Sequence, residues 1–335
     1  MRTRLATCAV LLAAGLAPWT SWALEPVAST QHFAFYSNLD TNLNDALIVA
    51  GRDRQNGRQE QFHSGEAKDC FAGLAPSRRE GWNLAVDYYQ RIISPAGWTD
   101  RQQYLLRIDL AGIEEELDDN AAVFLDLASH MRDAAKPAYV ACAWERQDAQ
   151  NRTWVERLLP RLEAHETAIG ERLEAVYGTP WHGLPLRADV VAHAPPVGAN
   201  TIWLSPAGGH VLVSSTIADE LALEIMFHEA SHTLFAAGRG DPWPLALEGA
   251  AKELSVDLPR DLWHVVLFYL TGESICDMLA DDCTPYMVSQ GLWDGRWGQY
   301  RQAVEATLPA YLEGKADIDG AARALLRALP EQATD

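Results

Sequence analysis

The sequence predicts an α+β fold that is mostly helical, with a small antiparallel sheet packed against one helix. Apolar side chains recur every three to four residues along most of the chain, which is the helical period. Three short runs at 187–192, 201–205 and 210–215 break this pattern with alternating or β-branched residues. A turn at Gly208-Gly209 joins the last two runs into a predicted hairpin. The next helix follows the hairpin directly.

The remaining elements follow in order along the chain. Residues 33–36 are aromatic and alternate weakly, so they predict a further short strand. Asn38 or Asp40 can cap the helix after it, and Gly178-Thr179-Pro180 is a stop signal for another. The predicted helices cover residues 43–50, 79–93, 100–133, 153–177, 217–236, 244–255, 260–280, 297–312 and 318–329.

The first 23 residues are typical of a secretory signal peptide. Arg2 and Arg4 form a basic start, and residues 5–16 are an apolar stretch too short to span a membrane. Ser21-Trp22-Ala23 places small residues where a signal peptidase cleaves. We therefore expect an exported protein, periplasmic or extracellular.

No long linker, repeat or low-complexity tract divides the rest of the 335-residue chain. We predict a single unit over residues 24–335, with a helical N-terminal part at 24–180. The second part, 181–335, holds the sheet, the helix that follows it and the C-terminal helices. The formal net charge of −19 argues against nucleic acid and anionic membrane surfaces as partners. No segment after the signal is apolar enough for a membrane span, and the sequence leaves the oligomeric state open.

Four of the five cysteines lie outside the predicted signal. An even number in an exported protein suggests disulfide bonds. Cys276 and Cys283 are close in sequence and form the preferred pair, which leaves Cys70 with Cys142. Three connectivities remain open on the sequence alone.

The most informative segment is His228-Glu229-Ala230-Ser231-His232, inside the helix predicted at 217–236. Two histidines four residues apart share one helix face and can bind one metal ion. Glu229 reaches the same side and can act as a general base on a metal-bound water. The spacing H-E-x-x-H is typical of zinc metallopeptidases, and it predicts one Zn²⁺ per chain.

With a hairpin before this helix and a glutamate-bearing helix after it, residues 200–280 resemble a gluzincin-type zinc metallopeptidase, the group that includes thermolysin. The chain is also similar to uncharacterised exported bacterial proteins that carry H-E-x-x-H. The resemblance implies a zincin-like fold, in which an edge strand of the small sheet pairs with extended substrate backbone. The hairpin at 201–215 is the candidate for that strand.

A catalytic zinc takes three protein ligands and an open position, so a third ligand is required. The gluzincin resemblance favours Glu273, with Asp277 as the group that orients a liganding histidine. His264 is an alternative, either as third ligand or as hydrogen-bond donor to an oxyanion. It lies about 13 Å from Glu273 along a regular helix, so the two exclude each other at one zinc. Glu248 is the remaining alternative, in a Glu-Gly segment similar to that of the aminopeptidase branch of this group.

The predicted function is an exported zinc-dependent metallopeptidase that acts on a peptide or protein substrate, with Glu229 as the catalytic base. Tyr286 is a second candidate donor to the oxyanion. Two alternatives stay open: a non-catalytic metal-binding or envelope scaffold protein on the same fold, and an amidase that acts on cell-wall peptide.

Overall fold

A computed structural model describes residues 25–60, 65–95, 101–113, 115–194, 198–204, 208–279, 283–295 and 297–330. The predicted signal peptide lies outside this part of the chain. The described residues form a mostly helical α+β protein with a five-stranded sheet, as expected for the fold class. No helix in these ranges has both the length and the apolar character that crossing a bilayer requires.

The strands are β1 (Ala28–Ser29), β2 (Phe33–Tyr36), β3 (Leu186–Val191), β4 (Ala199–Leu204) and β5 (Gly208–Ser214). Their order in the sheet is β1-β2-β3-β5-β4. The sheet is mixed, which corrects the prediction of an antiparallel sheet: β3 pairs in parallel with both β2 and β5. The predicted β4–β5 hairpin is antiparallel, with Thr201 opposite Val211. Strand β4 is therefore the outermost strand at one end of the sheet.

The helices of the N-terminal part are α1 (Leu39–Gln55), α2 (Gly65–Gly73), α3 (Pro76–Tyr88), α4 (Arg101–Ala111), α5 (Asp119–Tyr139) and α6 (Glu145–Tyr177). The predicted helix at 100–133 is thus two helices. Asn38 begins α1, because its side-chain oxygen accepts a hydrogen bond from the backbone N–H of Asp40 at 2.7 Å. Helix α6 ends at Gly178, whose φ of +67° is the left-handed conformation that favours glycine.

The helices after the sheet are α7 (Asp219–Ser231), α8 (Pro242–Leu254), α9 (Leu262–Leu279), α10 (Tyr286–Ser289), α11 (Gly298–Leu312) and α12 (Ile318–Ala328). The disulfides Cys70–Cys142 and Cys276–Cys283 confirm the preferred cysteine pairing. Such bonds fit a protein exported to an oxidising compartment.

The sheet lies between two apolar cores. On one face, Phe35, Val190 and Val213 pack with α6 and the helices after the sheet. On the other face of the sheet, most of the N-terminal helices form a second apolar core, and Ile202 of β4 packs against it. Because side chains alternate along a strand, β4 contacts both sides of the sheet. The hydroxyl of Thr201 meets α7, whereas Asn200 accepts a hydrogen bond from Arg107 of α4 at 2.5 Å.

Candidate metal centre

Helix α7 carries both histidines of the H-E-x-x-H segment into the interior. Its residues from Ala222 to Ser231 are buried, as the apolar sequence before the motif predicts. The helix ends in a 3-10 turn that begins at His232. His228 and His232 therefore lie one turn apart, and their ring centres are 5.0 Å from each other.

His264, in the first turn of α9, completes a group of three imidazoles. One ligand nitrogen from each of His228, His232 and His264 lies within 4.8 Å of the others. The Nε2 atoms of His228 and His264 are 3.3 Å apart. Two nitrogens bound to one tetrahedral zinc at its usual bond length lie roughly 3.3 Å apart. The separation of this pair therefore fits two ligands of the same ion.

The electrostatic environment keeps two of these imidazoles neutral, the form that binds metals. Burial, with a smaller contribution from the other histidines, lowers the pKa of His228 well below its usual value. Burial and the neighbouring His264 lower the pKa of His232 to about 3. The neutral imidazoles of His228 and His232 can therefore each offer a lone pair to a cation. This donor set fits a zinc ion.

Aromatic rings pack against the group of three histidines. The ring of Phe268 stacks on His228 with 3.4 Å between centres, and Trp263 stacks on His264 at 4.9 Å. Phe268 is one turn after His264 on the same face of α9, so one helix supplies both a candidate ligand and its apolar cover. A low-dielectric surrounding strengthens the interaction of a cation with its ligands.

Glu229 lies beside the three histidines. Its Oε2 is 4.0 Å from Nε2 of His232, so the carboxylate lies close to the candidate metal centre. The hydroxyl of Thr201 lies 2.7 Å from the same Oε2 and donates a hydrogen bond to it. Burial raises the pKa of Glu229 to about 7, although the Thr201 hydrogen bond and the charge of Arg107 oppose the rise. The carboxyl is thus held in place by β4 and can bind or release a proton near neutral pH.

The predicted ligand Glu273 lies elsewhere on α9. It is more than two helical turns beyond His264, half-buried, and outside the group of three histidines. Burial and the carboxylates of Asp277 and Glu305 raise its pKa, so its surroundings are acidic. The structure therefore brings His264, and not Glu273, to the two histidines of α7. Asp277 lies beside Glu273.

Glu248 is exposed on α8 and lines a separate pocket with Phe235 and Trp263. Tyr286 does come to the centre: it lines one cavity together with Glu229 and His264.

No protein-family model, curated protein or solved structure matches this chain. What the centre does must therefore be inferred from its own geometry.

Thr201 was not singled out by the sequence as a residue of the site. The hairpin that carries it was predicted next to the helix, but a threonine in a strand gives no local signal for a carboxylate partner. Asp261 is a second such residue. It accepts hydrogen bonds from Trp297 Nε1 at 2.9 Å and from the Tyr300 hydroxyl at 2.8 Å, three residues before His264. These contacts fix the start of α9 and hence the place of His264.

Proposed function

We propose that the protein is a zinc-dependent hydrolase that cleaves peptide bonds. The observation that carries the proposal is the meeting of three buried or half-buried histidines from two helices with a buried glutamate that lies 4.0 Å from one of them. His228, His232 and His264 supply the three protein ligands typical of a catalytic zinc, and Glu229 supplies the base. The N-terminal sequence and the two disulfides support an exported protein, so we expect this activity outside the cytoplasm.

A zinc ion held by the three histidines would polarise the scissile carbonyl and acidify the attacking water. Glu229 orients that water, accepts its proton and returns it to the leaving amine. Thr201 keeps the carboxylate of Glu229 directed towards the centre through the 2.7 Å hydrogen bond. With His264 serving as a ligand, Tyr286 is the remaining candidate donor to the oxyanion.

A structural zinc site is the alternative for a non-catalytic scaffold protein. Structural sites are usually closed by four protein ligands, and they need no neighbouring base. Three histidines form the group within the described residues, and Glu229 is buried beside them at a cost in desolvation. Both features favour catalysis over a purely structural role.

The test is the zinc content of the purified protein by mass spectrometry, together with hydrolysis of a peptide library. We expect about one zinc per chain in the parent and in Glu229→Gln, with hydrolysis only in the parent. The His264→Ala variant should bind zinc roughly 100-fold more weakly or worse, whereas Glu273→Gln should bind it normally. His130→Ala is the matched control, since His130 is an exposed histidine on α5.

Absence of zinc from the parent after incubation with the metal would contradict the proposal. Zinc binding without hydrolysis of any library member would favour the scaffold protein. Loss of zinc in Glu273→Gln but not in His264→Ala would assign the third ligand to the glutamate.

A further inference from the structure

A cavity of about 320 Å³ opens directly beside the candidate metal centre. Glu229 and His264 are among its lining residues, so a group that fills it lies next to the proposed reacting atoms. Most of the remaining wall is apolar or aromatic, contributed by Ile217, Ile225, Phe268, Leu292 and Trp297. No lysine, arginine or aspartate is among the lining residues in the described part of the chain.

Two hydrogen bonds fix the aromatic walls of this cavity. Trp297 donates from Nε1 to Asp261 at 2.9 Å, at the start of the helix that carries His264. The backbone N–H of Tyr286 donates to Oε2 of Glu224 at 2.8 Å, on the helix that carries Glu229. The ring of Tyr286 stacks on Phe268 with 5.8 Å between centres and 20° between planes. The cavity is therefore anchored to both helices that form the metal centre, and little reorganisation is needed to fill it.

Strand β4 forms the remaining side. Ala199 lines the cavity, and two residues further along the same strand Thr201 holds Glu229. Because alternate side chains of a strand point to one face, the cavity and the base lie on the same face of β4. The short side chain of Ala199 leaves the space open at this point. An extended substrate that lies along β4 can thus place one side chain in the cavity while its carbonyl lies at the histidines.

We propose that this cavity binds a large apolar side chain, of the phenylalanine or leucine class, on the substrate residue next to the bond that is cleaved. The inference rests on the proposed function and specifies its substrate. An apolar wall gains free energy from an apolar occupant and penalises a charged one, since Ile217, Ile225 and Leu292 offer no partner to a charge packed against them. Filling the cavity with a benzyl group instead of a methyl group should tighten binding about 10- to 100-fold.

The experiment compares two peptide hydroxamates that differ only in one side chain, benzyl or methyl, on the zinc-loaded full-length protein by calorimetry. We expect the benzyl compound to bind about 10- to 100-fold more tightly. Leu292→Glu places a carboxylate in the cavity and should reduce this preference to about threefold or less. Val288→Glu makes the same change at an exposed residue nearby on α10 and should preserve it. Should Leu292→Glu fail to fold, Ala199→Leu narrows the cavity from the opposite wall and should weaken the benzyl compound selectively.

Equal binding of the two hydroxamates to the parent would overturn the inference and leave the zinc site intact. If the chain binds no zinc, the proposed function fails, and the cavity is tested on the metal-free protein instead. N-acetyl-phenylalanine amide and N-acetyl-alanine amide are then compared by ligand-detected NMR. Selective binding of the phenylalanine compound, abolished by Leu292→Glu, supports an apolar side-chain site, and equal or absent binding of both compounds rejects it.

Discussion

The contact between Thr201 and Glu229 is the clearest example of a single side chain that positions the proposed base. Glu229 is buried, and the Thr201 hydroxyl is 2.7 Å from its Oε2 and 2.9 Å from its backbone oxygen. A carboxylate in this position has few other ways to keep its orientation. Interactions one shell away from a metal centre commonly affect activity 10- to 100-fold, so the hydroxyl should matter to the proposed reaction.

Replacing Thr201 by valine removes the hydroxyl and keeps the shape of the side chain. We expect kcat on a cleaved peptide to fall about 10- to 100-fold, because Glu229 loses its orientation, with KM and zinc content little changed. Thr201→Ser retains the donor and should keep most of the activity. A loss of zinc in Thr201→Val would instead show that the residue supports the fold of the centre.

Glu224, one helical turn before His228, gives a pH dependence to stability. Burial raises its pKa from 4.5 to about 7, with a smaller contribution from Glu273. Between these two values the folded state binds more protons than the unfolded state, so this residue's contribution to stability falls as pH rises. The contribution is fully present below the ordinary pKa and is lost once the pH exceeds the raised one.

The Glu224→Gln variant removes this titration and still accepts the hydrogen bond from Tyr286. Relative to the parent, the unfolding free energy of the variant should therefore rise by about 2–3 kcal/mol between pH 4 and pH 8. Urea denaturation at several pH values measures it. A difference that does not change with pH would mean that the pKa of Glu224 is the same in the folded and unfolded states.

The sequence predicted the pair of α7 histidines and their glutamate, because a four-residue spacing on a helix is local information. It did not rank His264 first. That choice depends on which turn of α9 crosses α7, and this is set by packing between elements. Phe268, Thr271 and Ile275 lie on one face of α9, and all three are buried. His264 shares that face, whereas Glu273 does not.

At the scale of elements, the crossing of α7 and α9 determines the site. Gly272 lies at this crossing: a Cβ added there would be 2.6 Å from Oε1 of Glu224 and 3.3 Å from Cβ of Pro285. The absence of a side chain therefore allows the two helices to approach while Glu224 keeps its hydrogen bond from Tyr286.

The Gly272→Ala variant should lose about 1–3 kcal/mol of stability, because the buried carboxyl of Glu224 must move. Gly249→Ala is the matched control at an exposed position of α8, where a Cβ meets nothing within 4 Å. That change should be neutral or stabilise by up to about 1 kcal/mol. Thermal unfolding of both variants provides the comparison. If the double variant Gly272→Ala/Glu224→Ala shows simple additivity, the proposed clash is not the cause.

Most elements were predictable, since capping residues, glycine stops and apolar periods are local. The helix predicted at 244–255 is Pro242–Leu254, and that predicted at 318–329 is Ile318–Ala328. Strand pairing was not predictable. Helices α1 to α6 intervene between β2 and β3, and no local pattern specifies that these strands pair in parallel. The antiparallel pairing of β4 with β5 is the exception that was predicted, because the two strands are neighbours in sequence.

At the scale of the whole molecule, one disulfide joins cysteines that are far apart in sequence, and the other joins cysteines that are close in sequence. Cys70 and Cys142 are 72 positions apart among the N-terminal helices, whereas Cys276, near the end of α9, is bonded to Cys283, 7 positions later. A cross-link restricts the unfolded chain more when the loop that it closes is longer.

Replacing both cysteines of the longer loop by serine should cost about 4 kcal/mol of unfolding free energy, and the same change in the shorter loop about 2 kcal/mol. Urea denaturation of the two double variants at one pH tests this order. A larger loss for Cys276–Cys283 would mean that packing around the end of α9, and not chain entropy, dominates.

The alternation of β4 has a consequence for how the protein can change over evolution. One face of this strand meets the proposed base, and the other meets Arg107 and the second core. A substitution in α4 that shifts the strand moves the hydroxyl of Thr201 with it, although α4 carries none of the proposed catalytic groups. Under the proposed function, a substitution in the N-terminal helices would therefore change the orientation of the base as well as the stability of the fold.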